Sequence, residues 1–152
     1  MPTFKRILFP VDLSDVSADI IPTVTAVAGA FGSELYLLFV ARIFKYYDTI
    51  YVPPVSIAEF EEQVVQGGKR RLDEFVKEHL KDCCVAVAKV IPGEPADEIL
   101  KYIDSEGIDL VIMGTHGRKG LDRILFGSVA TRVVTRSPVP VMTVRPHGKK
   151  DK

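Results

Sequence analysis

The sequence has no tryptophan, two cysteines in 152 residues and no excess of charge, with 20 lysines and arginines against 20 aspartates and glutamates. Each shortage excludes something. Cys83 and Cys84 are adjacent, and neighbouring residues do not easily reach the geometry of an unstrained disulfide. No His or Cys lies at zinc-ligand spacing from them, so they read as reduced thiols packing at the start of a strand rather than as a redox or metal pair. Balanced charge gives no bulk attraction for nucleic acid or for an anionic membrane surface, so any phosphate binding has to be local. No apolar run approaches the roughly 20 residues needed to cross a bilayer, and Met1 to Arg6 lacks the apolar core of a secretory leader; a cytoplasmic protein is expected. Internal repeats and low-complexity segments are missing too.

What the chain does have is apolar mass: 47% of its residues are hydrophobic, enough to bury one core at this length. One domain over residues 1–147 is expected, followed by a disordered basic tail over 148–152. Five short apolar runs recur: Arg6 to Val11, Glu34 to Val40, Val85 to Val90, Leu110 to Met113 and Val139 to Val144. They are continuous rather than alternating and rich in β-branched residues, as parallel strands covered on both faces should be.

Between them the period is helical. The first helix follows Ser14 as candidate N-cap, carries Ile20, Ile21, Val24, Val27, Ala28 and Phe31 on one stripe, is kinked by Pro22, and stops at Gly32. The second opens on Ser56 and Glu59 at capping-box spacing and runs to Leu80, with Gly67 and Gly68 interrupting it at about 1 kcal/mol each. The third starts at Pro95, with Asp97 and Glu98 in its first turn, and ends near Gly107. The fourth follows Gly127. Strands alternating with helices of this length give right-handed crossovers and a three-layer α/β sandwich. Arg42 to Val55, with Tyr46, Tyr47 and Tyr51, has no period. It reads as a surface excursion that either covers a sheet edge or subunit contact or touches a ligand.

Open α/β sheets bind ligands outside the carboxyl ends of their strands, where strand order reverses. That rule selects Pro10, Val11 and Asp12 after the first strand and Met113 to Gly117 after the fourth. Glycines at 114 and 117 let a backbone turn with its N–H groups inward, and Gly127 with Ser128 would offer the free donors of a helix N-terminus, an anion cradle to which Arg118, Lys119 and Arg123 add charge. Neither the Walker A pattern nor the dinucleotide fingerprint is present. Spacing alone fits equally well a set of tight turns with Ser128 as an ordinary N-cap, and Asp12 fits equally well a helix-capping acid. His116 beside a glycine turn fits an exposed imidazole or a phosphate contact.

Gly114, two residues, Gly117, nine residues, Gly127 and then Ser128, with Asp12 ending the first strand and Gly93 to Ile99 opening a helix, resembles the universal stress protein family in its ATP-binding branch, over about Phe4 to Pro146. The resemblance implies a single open five-stranded parallel sheet of order 3-2-1-4-5 with helices on both faces, Rossmann-like. It implies that Asp12 bonds the adenosine part with Pro10, Val11 and Val40 around the base. It also implies that Met113, Gly114, His116, Gly117 and Arg118, with Gly127, Ser128, Val129 and Ala130, surround ribose and phosphates. The cofactor would be ATP, or AMP or ADP, with Mg²⁺ or Mn²⁺ carried on the phosphates and no protein ligand named for the metal. The resemblance points to a stress-linked regulatory switch with at most slow hydrolysis, acting on an unidentified protein.

Two other readings stand beside that one. A slow ATPase or adenylate-forming enzyme would need a positioned base, and Asp122 is the one acid in the loop, among arginines. The related ATP-pyrophosphatases carry Ser-Gly-Gly-x-Asp-Ser after the first strand, where this chain has Pro10 to Ser14. A nucleotide-independent interaction protein of the same fold would not need the glycine spacing. Finally, Pro140 in the last run suits an exposed sheet edge, and the resemblance implies a homodimer paired through Val139 to Val144.

Overall fold

The computed structural model describes residues 3–43, 54–83, 85–116 and 126–146. Their elements alternate: β1 (Arg6–Val11), α1 (Asp15–Asp19), α2 (Ile21–Phe31), β2 (Glu34–Arg42), α3 (Pro54–His79), β3 (Val85–Gly93), α4 (Pro95–Glu106), β4 (Leu110–Gly114), α5 (Ser128–Arg136) and β5 (Val141–Val144). All strand pairs are parallel and the sheet order is β3-β2-β1-β4-β5. The chain thus builds outward from β1 in one direction and then crosses back to β4, which puts the reversal of strand order between β1 and β4.

In β1, β2 and β4 the continuous apolar runs are explained by burial on both faces, whereas the edge strands β3 and β5 are not covered on both, with Ala86, Ala88, Lys89 and Met142 exposed. Ile7, Phe9, Val11, Leu35, Leu37 and Ile112 pack under Ile20, Ile21 and Val24 of the α1–α2 region and Leu72 and Phe75 of α3. The alternate residues Leu8, Tyr36, Leu38, Val40, Val111 and Met113 pack under Ile99 and Ile103 of α4 and Ala130 and Val133 of α5. Successive strand side chains point to opposite faces, so a strand buried on both has no polar position to spare.

Several boundaries differ from the sequence expectation. Pro22 does not kink one helix; the helix breaks at Ile20, which caps α1 and opens α2, and Pro22 sits in the first turn of α2 where its missing N–H costs nothing. Gly32 does end α2, at φ 63° in the left-handed region. α3 begins at Pro54, so Ser56 lies inside the helix and does not cap it. Gly67 and Gly68 leave α3 unbroken. A Cβ on Gly68 would stand 2.9 Å from Val90 Cγ1 and 3.2 Å from the Phe39 ring, so glycine is what lets α3 lie this close to the sheet, whereas Gly67 meets nothing within 4 Å. β5 begins at Val141 rather than Val139. Cys83 packs against the core just before β3, as expected; Cys84, the tyrosines at 46, 47 and 51 and the 148–152 tail lie outside the described residues. No helix among the described residues is long and apolar enough to cross a membrane.

Candidate functional site

β1 and β4 are neighbours, paired at Ile7 with Leu110 and Leu8 with Val111, and both run on past that ladder, to Val11 and Gly114. Their carboxyl ends are where the reversal of strand order opens a crevice in folds of this class. Asp12 follows β1, and Thr115 and His116 follow β4.

Asp12 sits in a hydroxyl cluster. Its Oδ1 accepts from Ser14 N (3.0 Å), Ser14 Oγ (2.5 Å) and Ser17 Oγ (2.7 Å), and its own N–H donates to Ser17 Oγ (3.1 Å). The bond to the backbone two residues on is an Asx turn. Ser14 is the N-cap of α1, as its position suggested, yet its side chain makes no capping bond; the hydroxyl serves Asp12 instead. Leu13 between them has φ 62° and is the one non-glycine residue with positive φ among those described. That region is sparsely occupied by residues with a Cβ, so the carboxylate is held by a constrained turn. Asp12 is therefore not the N-cap of the first helix.

On the other side, Thr115 is 7% exposed and all its polar groups are engaged. Its N–H donates to Val144 O (3.1 Å), its carbonyl accepts from Gly127 N (2.6 Å), and its Oγ1 is hydrogen-bonded to His116 Nδ1 (2.8 Å). The bond from Gly127 brings the start of α5 back onto the end of β4. Gly127, not Ser128, is the N-cap of α5. The Gly127 N–H is consequently spent inside the protein and is not a free donor. The N–H groups of Ser128, Val129 and Ala130 are the ones that helix geometry leaves without an intrahelical acceptor, and they carry the positive end of the helix dipole. Thr131 fixes this turn, donating from N (3.0 Å) and Oγ1 (2.9 Å) to Gly127 O.

The reason for glycine also shifts. Gly114 is not among the positive-φ residues; a Cβ there would come 3.3 Å from His116 O, so closeness rather than a left-handed turn requires it. Gly127 at φ −70° and ψ 165° is extended, a conformation open to any residue.

The structure therefore gathers most of the expected site and separates part of it. Val40, Met113, Val129 and Ala130 share the apolar cluster on the α4–α5 face. Val11 points the opposite way, into the cluster on the α1–α3 face, so its side chain does not join Val40. Pro10 is half-buried in β1. Gly117 and Arg118, with Lys119, Asp122 and Arg123, lie outside the described residues. Sequence reasoning missed Ser17 and the junction at Thr115. Two serines three apart after a strand-end Asp could have signalled the first; nothing local signals the second, which depends on contacts with β5 and α5. Among the described residues no group of three or more His, Cys, Asp or Glu is placed to hold a metal.

Comparison with known proteins agrees with this architecture. The model of the universal stress protein family matches residues 3–145. Universal stress protein MJ0531 of Methanocaldococcus jannaschii is 30% identical over 154 residues, spanning 93% of this chain and 82% of the relative. Universal stress protein MJ0577 of the same organism is 32% identical over 155 residues, spanning 93% and 95%, and its solved structure superposes with a TM-score of 0.77 at 29% identity, covering 97% and 100%. A universal stress protein solved in complex with cAMP superposes with a TM-score of 0.58 at 18% identity, covering 95% and 99%.

Proposed function

We propose that this chain, which belongs to the universal stress protein family, binds an adenine nucleotide at the carboxyl ends of β1 and β4 and acts as a nucleotide-dependent regulator in a stress response. The observation that carries the reading is the bond from Gly127 N to Thr115 O (2.6 Å), which sets a helix N-terminus beside the strand end next to Asp12, at the reversal of strand order. The two ends of this site differ in polarity. Phosphates are drawn to the first-turn N–H groups of α5 and repelled by the Asp12 carboxylate, which suits ribose hydroxyls or an adenine amino group. Val40, Met113 and Val129 supply the apolar floor. The likeness of Gly114, Gly117, Gly127 and Ser128 to the pattern of the family's ATP-binding branch supports triphosphate binding, and the cAMP complex of a protein with the same fold supports an adenine nucleotide as the ligand class. A divalent ion, Mg²⁺ or Mn²⁺, would arrive on the phosphates.

Binding rather than turnover is the chemistry these residues favour. Phosphoryl transfer needs a base on the nucleophile and acids holding the metal, and the Oδ1 atom of Asp12 already serves three donors. The purified protein is expected to co-elute with adenine nucleotide that remains ATP over hours, as read by ion-pair chromatography of the released ligand. Rapid multiple turnover would contradict the regulatory reading, and a protein that neither carries nor takes up nucleotide would contradict the site.

A homodimer through Val139 to Val144 belongs to the same reading. Val111 N donates to Pro140 O, and Thr115 N to Val144 O. In a parallel ladder the alternate residues then face outward, leaving the backbone groups of Val141 and Thr143 on an open edge that a second copy can cover. A cytoplasmic location and an unidentified regulated protein complete the proposal.

A further inference from the structure

We propose that Thr115 is the positioning residue of this site, tying the phosphate-facing start of α5 to the end of the edge strand β5 so that nucleotide occupancy stiffens that edge. The inference rests on the nucleotide reading above and adds a route of regulation to it. Thr115 is a buried polar residue whose three polar groups reach three different elements: Val144 O at 3.1 Å at the end of β5, Gly127 N at 2.6 Å at the start of α5, and His116 Nδ1 at 2.8 Å in the following loop. Among the described residues its carbonyl makes the one hydrogen bond between the α5 N-cap and the sheet. The next tether of α5 is lower down, where Arg132 pairs with Glu94 (3.1 Å) and Asp97 (2.7 Å) at the start of α4.

A Cβ on Gly114 would stand 3.3 Å from His116 O, so the loop folds closely back over the end of β4. An anion held by the N–H groups of Ser128, Val129 and Ala130 pins the first turn of α5. That turn holds Thr115, and Thr115 holds Val144. Linkage makes the effect reciprocal: whatever steadies the β5 edge raises nucleotide affinity by the same factor.

Residue-resolved amide exchange of the full chain, with and without ATP and Mg²⁺, tests this. Bound ATP is expected to slow local exchange at Thr115, Gly127 and Val144 by about tenfold, while amides of the opposite edge strand, β3, keep their rates. If the β5 side responds no more than β3 although ATP binds, the coupling is overturned and the nucleotide reading survives. If ATP does not bind the parent chain, both fall. Thr115→Val keeps the backbone bonds to Gly127 and Val144 and loses only the hydroxyl bond to His116 Nδ1, so it should keep the slowed exchange at Val144 on binding ATP and stay within about tenfold of the parent's affinity. Loss of the Val144 response in Thr115→Val, although ATP still binds, would overturn the assignment of the coupling to these two backbone bonds.

Discussion

Gly127→Val is expected to erase the rise in thermal midpoint that ATP confers on the parent, while leaving the nucleotide-free fold in place. Ligand at a hundred times its Kd adds about 2.7 kcal/mol, which for a chain of this length is a shift of about 5–10 °C. Valine suits the N-cap conformation, since φ −70° and ψ 165° are extended and β-branched residues favour that region. Its N–H can still donate to Thr115 O. What changes is that an isopropyl group now stands beside the N–H groups of Ser128, Val129 and Ala130, where a phosphate has to approach. Scanning the variant with and without ATP, with circular dichroism to check the fold, separates the two effects. A variant shifted as far as the parent would remove the start of α5 from the site.

Asp12→Ala is expected to act on the empty protein as well. It takes the shared acceptor from the Ser14 N–H, the Ser14 hydroxyl and the Ser17 hydroxyl together. Ser17 is 7% exposed, so its hydroxyl has little access to water as a substitute. Bonds to a charged acceptor contribute about 1.5–3 kcal/mol each, less where water can replace them; a total loss of about 2–3 kcal/mol follows, read as a lower urea midpoint at unchanged slope. Asp12→Asn keeps one acceptor oxygen and should lose about half as much. A loss under about 0.5 kcal/mol for alanine would mean that the cluster does not hold the turn.

The same residues show what was legible in the sequence. β1 runs from Arg6 to Val11, as its apolar run indicated, and Gly32 and Gly107 end helices in the left-handed region, because burial on two faces and a chain reversal after a helix leave plain local signatures. Element starts were less legible where two signals compete. Ser56 and Glu59 have capping-box spacing, but a proline at the first helical position is an equally good opening, and the helix takes Pro54. Gly67 and Gly68 look alike in sequence; the approach of Val90 and Phe39 to Gly68 makes them different. At the strand ends, position and spacing pointed to Asp12, Gly114 and Gly127. The role of the Gly127 N–H was not legible, because its acceptor is twelve residues away along the chain at Thr115, and the positive φ of Leu13 has no mark in its side chain.

On the proposed function, the carboxyl ends of β1 and β4, closed by the start of α5, take up adenine nucleotide. Titrating ATP with Mg²⁺ into the isotopically labelled full chain while following backbone amide resonances tests this. Saturable shifts concentrated at Asp12, Thr115, His116 and Gly127 to Ala130, with β3 unmoved, are the predicted result. No saturable change, or changes centred away from these two strand ends, would contradict it.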